Sequence, residues 1–140
     1  MLDTNVFASG VLGARRSEST PGEIFRRWRR RTFGLITSPH LIEEVERTLA
    51  DRFFTDRIPA SDSAAAIEAL KQDARIITLT TTVSGIATHP EDDLVLAAAV
   101  SAAVDYLVTG DKKLQQLGSY QGVAIVSPRA FLTLLEEQET

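Results

Sequence analysis

The stretch Val104-Asp105-Tyr106-Leu107-Val108-Thr109-Gly110-Asp111 constrains the rest of the chain more than any other. Val104, Tyr106, Leu107 and Val108 make a short apolar run of strand formers, Gly110 breaks it, and Lys112-Lys113 opens something polar. A buried strand that runs into Thr-Gly-Asp fixes the backbone, and the turn aims the Asp111 carboxylate outward. The start of the chain repeats the device, with Met1-Leu2 leading straight into Asp3-Thr4-Asn5. Two acids mounted at strand ends define a candidate site.

Between these ends, helix and strand signals alternate. Residues 1–12 read as a strand end followed by an apolar stretch of Val6, Phe7, Ala8, Val11 and Leu12. Thr20-Pro21-Gly22-Glu23 reads as a capping box with proline at the first helical position. The helix it opens turns Ile24, Phe25 and Trp28 inward. Its arginines, among them Arg26, Arg27 and Arg30, read as a solvated face or as a contact surface for RNA or a protein partner. Residues 33–37 form a short strand, and Ser38-Pro39 starts a helix from His40 to Ala50 with Leu41, Ile42, Val45 and Leu49 on one face. Glu44 and Glu46 flank that stripe on opposite sides and Glu43 points away, so periodicity excludes Glu43 and leaves the other two open.

Residues 51–62 form an irregular or frayed helical connection, and Ser61 or Asp62 caps a helix through Ile67 and Leu70. Residues 75–83, rich in isoleucine and threonine, read as another strand. Asp92-Asp93 then open a helix from Leu94 to Ala103 that is apolar all round and therefore belongs inside the molecule. After the strand that ends at Asp111 come a short helix over 112–117, a strand over 122–126, and a terminal helix from Pro128 with Phe131, Leu134 and Leu135 inward. No repeat or linker divides the 140 residues, so one domain is expected, of α/β class with a mostly parallel sheet and helices on both faces.

In such a sheet, ligands sit outside the carboxyl ends of the strands, where Asp3 and Asp111 are expected. Asp92 reads as the N-cap of the buried helix. Asp93 either complements the helix dipole or faces the same crevice. Two carboxylates about 5 Å apart repel by roughly 3 kcal/mol at an effective dielectric of 20. Several together therefore call for protonation or a bound cation. The chain has no cysteine, and its two histidines, His40 and His89, read as surface or loop residues, so the ligands are oxygens and the ion Mg²⁺ or Mn²⁺. Such ions serve phosphodiester hydrolysis, which points to a nuclease or phosphatase. A receiver-like signalling domain would need a phosphoacceptor acid at the end of the 78–83 strand, and none is there.

The net charge of −4 conceals a basic first quarter and an acidic end. No apolar run reaches transmembrane length, and no signal peptide opens the chain, so a cytoplasmic protein without membrane contact is expected.

The order of motifs resembles the PIN-domain family: Leu-Asp-Thr-Asn-Val at 2–6, Ser-Pro-His-Leu-Ile-Glu-Glu-Val at 38–45, Asp-Asp-Leu-Val-Leu-Ala-Ala-Ala at 92–99 and Asp-Tyr-Leu-Val-Thr-Gly-Asp at 105–111. The closing Ile-Val-Ser-Pro-Arg-Ala-Phe-Leu at 125–132 is similar to the end of VapC-like toxin components of bacterial or archaeal toxin–antitoxin systems. The resemblance implies a three-layer α/β/α domain over residues 1–140 with a mostly parallel central sheet, acting as a Mg²⁺- or Mn²⁺-dependent endoribonuclease. It implies Asp3, Glu44, Asp93 and Asp111 as catalytic and metal-binding acids, preferring Glu44 to Glu46 and Asp93 to Asp92, with Asn5 and Thr109 as supporting polar groups. It further implies an RNA substrate, a homodimer and a small antitoxin partner. A catalytically silent PIN-like module that binds RNA or protein is the alternative. Relatives carry several apolar residues ahead of the Asp-Thr-Asn, whereas Met1-Leu2 alone precede it here. The expectation is therefore either a longer product or a shortened first strand.

Overall fold

Asp3 ends the opening extended segment by capping a helix, its carboxylate accepting the Thr4 N–H at 2.7 Å. The computed structural model describes residues 1–87 and 89–139. In chain order the elements are α1 (Thr4–Gly13), α2 (Thr20–Arg29), β1 (Ile36–Thr37), α3 (Pro39–Leu49), α4 (Arg52–Thr55), α5 (Ala60–Asp73), β2 (Arg75–Ile76), α6 (Pro90–Ser101), β3 (Tyr106–Val108), α7 (Lys112–Leu117), β4 (Ser119–Tyr120), β5 (Val123–Val126) and α8 (Pro128–Gln138). Helix and strand do alternate along much of the chain, as an α/β fold requires.

The strands form two ladders. In one, β1 pairs parallel with β2; in the other, β5 lies between β3, which it joins in parallel, and β4, which it meets antiparallel. Residues 1–3 add to the free side of β3. The Met1 amino group donates to the Tyr106 carbonyl at 2.9 Å, the Val108 N–H to the Met1 carbonyl at 2.9 Å, and the Asp3 N–H to the Val108 carbonyl at 2.9 Å. That segment makes a single parallel bridge, Leu2 to Val108. The expected continuous, mostly parallel central sheet is therefore not what the described residues show.

Because side chains alternate along a strand, β3 divides the interior. Val108 joins Leu2, Val6, Phe7, Ile24, Trp28, Val45 and Phe131 in one core, whereas Leu107 joins Met1, Leu41, Leu96, Leu114 and Ile125 in the other. The first core includes an aromatic cluster in which Phe7 meets Phe25 and Trp28 with ring centroids 5.7 and 5.8 Å apart. Beneath it α1 and α2 approach closely enough that a Cβ added at Gly22 would lie 2.1 Å from the Gly13 carbonyl oxygen, so glycine is required there.

Several local expectations are corrected. The apolar stretch after Asp3 is helix, with Val6, Phe7, Ala8 and Val11 all buried. α2 is capped by Ser19, whose side chain accepts the Gly22 N–H, one residue ahead of the expected Thr20. Residues 33–37 and 75–83 contribute only the two-residue β1 and β2. β2 pairs on one side only, and Ile76 and Leu79 are exposed. Without a second ladder partner, the β propensity of the Ile/Thr run does not extend the strand. Pro59 rather than Ser61 or Asp62 precedes α5, and His89 rather than Asp92 precedes α6. No described helix is long and apolar enough to cross a membrane.

Candidate functional site

β3 delivers Thr109 and Asp111 to the same end of the sheet at which residues 1–3 deliver Asp3, because the two segments run parallel. Thr109 is fully buried and links the two acids. Its hydroxyl donates to Asp3 Oδ2 at 2.8 Å and accepts the Asp111 N–H at 3.1 Å. The Thr109 carbonyl in turn accepts from Gln115 Nε2 at 2.7 Å, tying α7 to the strand end. Asp111 is also the N-cap of α7, its Oδ1 accepting the Lys113 and Leu114 N–H groups at 2.8 and 3.2 Å. Mounting an acid and capping a helix are thus compatible roles for this residue.

An open crevice of about 470 Å³ lies beyond these strand ends. Five acids line it: Asp3, Glu44, Glu91, Asp92 and Asp111. Asn5 and Thr48 contribute polar edges, and no lysine, arginine or histidine lines it among the described residues. Burial pushes Asp3 above the usual carboxylate range against the hydrogen bonds from Thr109 and Thr4, and the Asp111 charge adds to the rise. Asp92 is pushed up to about 6 by burial, then by the charges of Asp3 and Asp111 and, more weakly, Glu44, with His89 opposing. These acids feel one another. The hollow at the other end of β3, lined by Met1, Ile36, Val104, Phe131 and Leu135, holds a single acid among the described residues, Asp105.

Glu44 enters from α3, on the flank of the buried Leu41–Val45 stripe. The Thr4 hydroxyl donates to Glu44 Oε2 at 3.2 Å. His40 Nε2 stands 2.6 Å from Glu44 Oε1, a close contact without hydrogen-bond alignment, since neither atom has a formed hydrogen bond. Glu46, the residue that periodicity left open beside Glu44, instead faces Lys71 at 3.7 Å.

Of the four expected acids, the structure brings Asp3, Glu44 and Asp111 to the crevice and does not bring Asp93. The Asp93 carboxylate is buried and turned the other way, accepting the N–H groups of Gly85 at 3.0 Å, Ile86 at 3.2 Å and Ala87 at 2.7 Å. The neighbouring Asp92 faces the crevice. Asn5 and Thr109 are both at the site. The arginines of α2 are engaged elsewhere. Arg26 pairs with Glu23 and donates to the carbonyls of Gly13, Ala14 and Arg16, so it closes the C-terminal end of α1, the end away from Asp3. Arg27 lies between Glu23 and Glu139, and Arg30 reaches Glu23 at 3.2 Å.

In the sequence Asp92 reads as a cap, Glu91 carries no signal of its own, and His40 reads as a surface or loop residue. The i,i+4 spacing of His40 and Glu44 is a usable signal for that contact, and Thr48, four residues beyond Glu44, shares its face.

All the carboxylates of the crevice are hard oxygen donors without a basic neighbour on the lining, the chemistry that a divalent cation relieves. As the side chains stand, however, no three His, Asp or Glu groups among the described residues are gathered closely enough to hold an ion.

An α/β fold with an acid-lined crevice at the ends of parallel strands defines the class: a carboxylate site suited to a hard cation. The family follows from comparison with known proteins. A family model described as a PIN domain matches residues 1–113, and the chain belongs to that family, whose members are generally nucleases. Neither a curated protein nor a solved structure matches the chain closely enough to add to this.

Proposed function

We propose that residues 1–140 are a single PIN-like domain acting as a Mg²⁺- or Mn²⁺-dependent endoribonuclease, with Asp3, Glu44, Asp92 and Asp111 as the ion-holding acids. The observation that carries this reading is the crevice itself, where acids from four separate segments meet with no cationic side chain on the lining among the described residues. When bound, the ion supplies the positive charge that the carboxylates and a phosphodiester both lack, and it makes water a competent nucleophile. The chain's own residues do the rest. Thr109 fixes Asp3 relative to the Asp111 backbone, Thr4 and His40 hold the two oxygens of Glu44, and Asn5 offers a neutral polar contact at the rim. Asp93 leaves the proposed ligand set because its buried carboxylate is turned to the 85–87 loop and does not line the crevice.

The experiment is cleavage of single-stranded RNA in Mn²⁺, with and without EDTA, by the wild type and Asp3→Asn. The asparagine keeps an oxygen to cap α1, so the fold is retained while cleavage is lost. Cleavage by Asp3→Asn at the wild-type rate would refute the proposal.

The finer reading is the toxin of a toxin–antitoxin pair: cytoplasmic, homodimeric, and inhibited by a small antitoxin protein. In this reading the two ladders belong to one three-layer α/β/α arrangement. A neighbouring reading frame whose small product binds this chain and blocks cleavage would support it, and a chain harmless on expression would count against it. One observation favours a second reading, a catalytically silent PIN-like module that binds RNA or protein: no three acids among the described residues stand together in ion-holding positions. Calorimetry with Mn²⁺ separates the two, since the silent module binds no ion.

A further inference from the structure

α6 begins beside a loop that its own first turn engages. Its N-cap residue, His89, makes no side-chain capping bond, and Pro90 follows at once. Among the described residues, the first-turn Asp92 and Asp93 N–H groups reach the His89 carbonyl, at 3.0 and 3.3 Å. The anchorage that a cap would supply comes instead from Asp93, three residues into the helix. It reaches back to the incoming loop, where Gly85, with φ of 72°, lets three successive N–H groups converge on one carboxylate. Oδ2 takes the Gly85 bond and Oδ1 takes the other two. The side chain is buried at 7% exposure, so these are its interactions with the rest of the molecule rather than with solvent. On an α-helix, adjacent side chains diverge by about 100°. One aspartate of the pair can therefore bind the loop while the other faces the crevice.

We infer that Asp93 is a positioning residue: by clamping the 85–87 loop to the first turn of α6, it fixes the direction in which Asp92 presents its carboxylate to the crevice. This rests on the reading of Asp92 as an ion-holding acid. Groups that orient a ligand act on affinity without touching the ion, typically by 10- to 100-fold. Replacing Asp93 therefore weakens ion binding and leaves the number of bound ions unchanged.

Asparagine and alanine at position 93 discriminate anchor from ligand. Asp93→Asn retains an oxygen for the Ile86 and Ala87 N–H groups and sets its NH₂ against Gly85, whereas Asp93→Ala loses all three bonds. Amide hydrogen exchange at 85–87 in the EDTA-treated protein reads the clamp directly. The expected protection runs wild type, then Asn, then Ala. Mn²⁺ titration followed by electron paramagnetic resonance gives affinities in the same order, about tenfold weaker for Ala, at wild-type stoichiometry. The inference is overturned if the 85–87 amides of the Asn variant exchange as in the wild type. It is equally overturned if the Asn variant loses an ion altogether, the result that a charged ligand would give. If the Ala variant does not fold, the Asn variant decides alone by these criteria. Asp92→Asn serves as the control: full Mn²⁺ binding by that variant would remove the ion-site reading, while the exchange measurement still reports on the clamp.

Discussion

Replacing Asp92 by asparagine is expected to stabilise the ion-free protein near neutral pH and to do so less as the pH falls. In the folded chain the Asp92 carboxyl is pushed from 3.8 to about 6. At about 1.4 kcal/mol per pKa unit this sets a ceiling of about 3 kcal/mol for the cost of keeping it ionised. Asp92 is only partly buried, so solvent screening brings the expected cost to about 1 kcal/mol. The sign follows from proton binding. Between pH 4 and 6 the folded state holds a proton on Asp92 that the unfolded state has released, so this residue's contribution to stability falls as pH rises through that window. Above about pH 6 the full cost is present, and below about pH 4 it vanishes. Urea unfolding of wild type and Asp92→Asn in EDTA, at intervals from pH 4.5 to 8, isolates the term by difference. The variant is more stable by about 1 kcal/mol at pH 7.5 and nearly equal to the wild type at pH 4.5. Mn²⁺ then inverts the order, since a ligand at about 100 times its Kd stabilises the protein that binds it by about 2.7 kcal/mol. A variant less stable than the wild type at pH 7.5 without ion, or a difference indifferent to pH, would refute the claim that Asp92 shares a repulsive site.

Three further outcomes are expected. Asp111→Asn lowers RNA cleavage less than Asp3→Asn in matched Mn²⁺ assays, because Asp111 is half committed to α7 and its asparagine keeps that cap; equal losses would place the two acids on the same footing. Asp111→Ala additionally removes the cap and lowers stability by about 1 kcal/mol, read by thermal unfolding. Gly22→Ala forces apart α1 and α2, whose backbones leave 2.1 Å for the new carbon, and costs at least about 1–3 kcal/mol in urea unfolding. A neutral result there would mean that the helices separate freely.

The long amphipathic elements are legible in the sequence because their patterns carry direction. In α3 the stripe of Leu41, Ile42, Val45 and Leu49 is buried as expected, and a stripe fixes which flanking positions can reach a neighbour. That is why periodicity alone narrows the α3 acid to Glu44 or Glu46. The β3 strand and its Thr-Gly-Asp terminus are equally plain, since a short apolar run closed by glycine allows few alternatives. α1 is hidden by burial on several sides, which removes the helical period, and by its Asp-Thr-Asn start, which doubles as turn chemistry. The strands at 33–37 and 75–83 are over-read because propensity speaks for a residue's own backbone and not for the presence of a partner. In the arginine-rich α2, composition suggests a nucleic-acid surface, yet Glu23 alone engages Arg26, Arg27 and Arg30.

Helical periodicity does not separate Asp92 from Asp93. The two differ by one step of helical rotation, and rotation can be read from sequence only when the helix has a polar side. α6 has almost none, with Val95, Leu96, Ala97, Ala98 and Ala99 buried in succession. Its orientation is set by packing on β3 and by the incoming loop, both tertiary facts. The same pair of adjacent acids then divides two tasks that lie in different directions from the helix. Asp93, buried and bound to the 85–87 N–H groups, points away from the crevice, while Asp92, one step of rotation away, faces it. Placing the acids side by side in the first turn lets the fold meet both needs, with the buried one fixing the more exposed one. On this argument exchanging the pair's roles is not available to the chain: Asp92→Asn is expected to abolish ion binding without loosening the 85–87 loop, and Asp93→Asn to loosen the loop without abolishing ion binding.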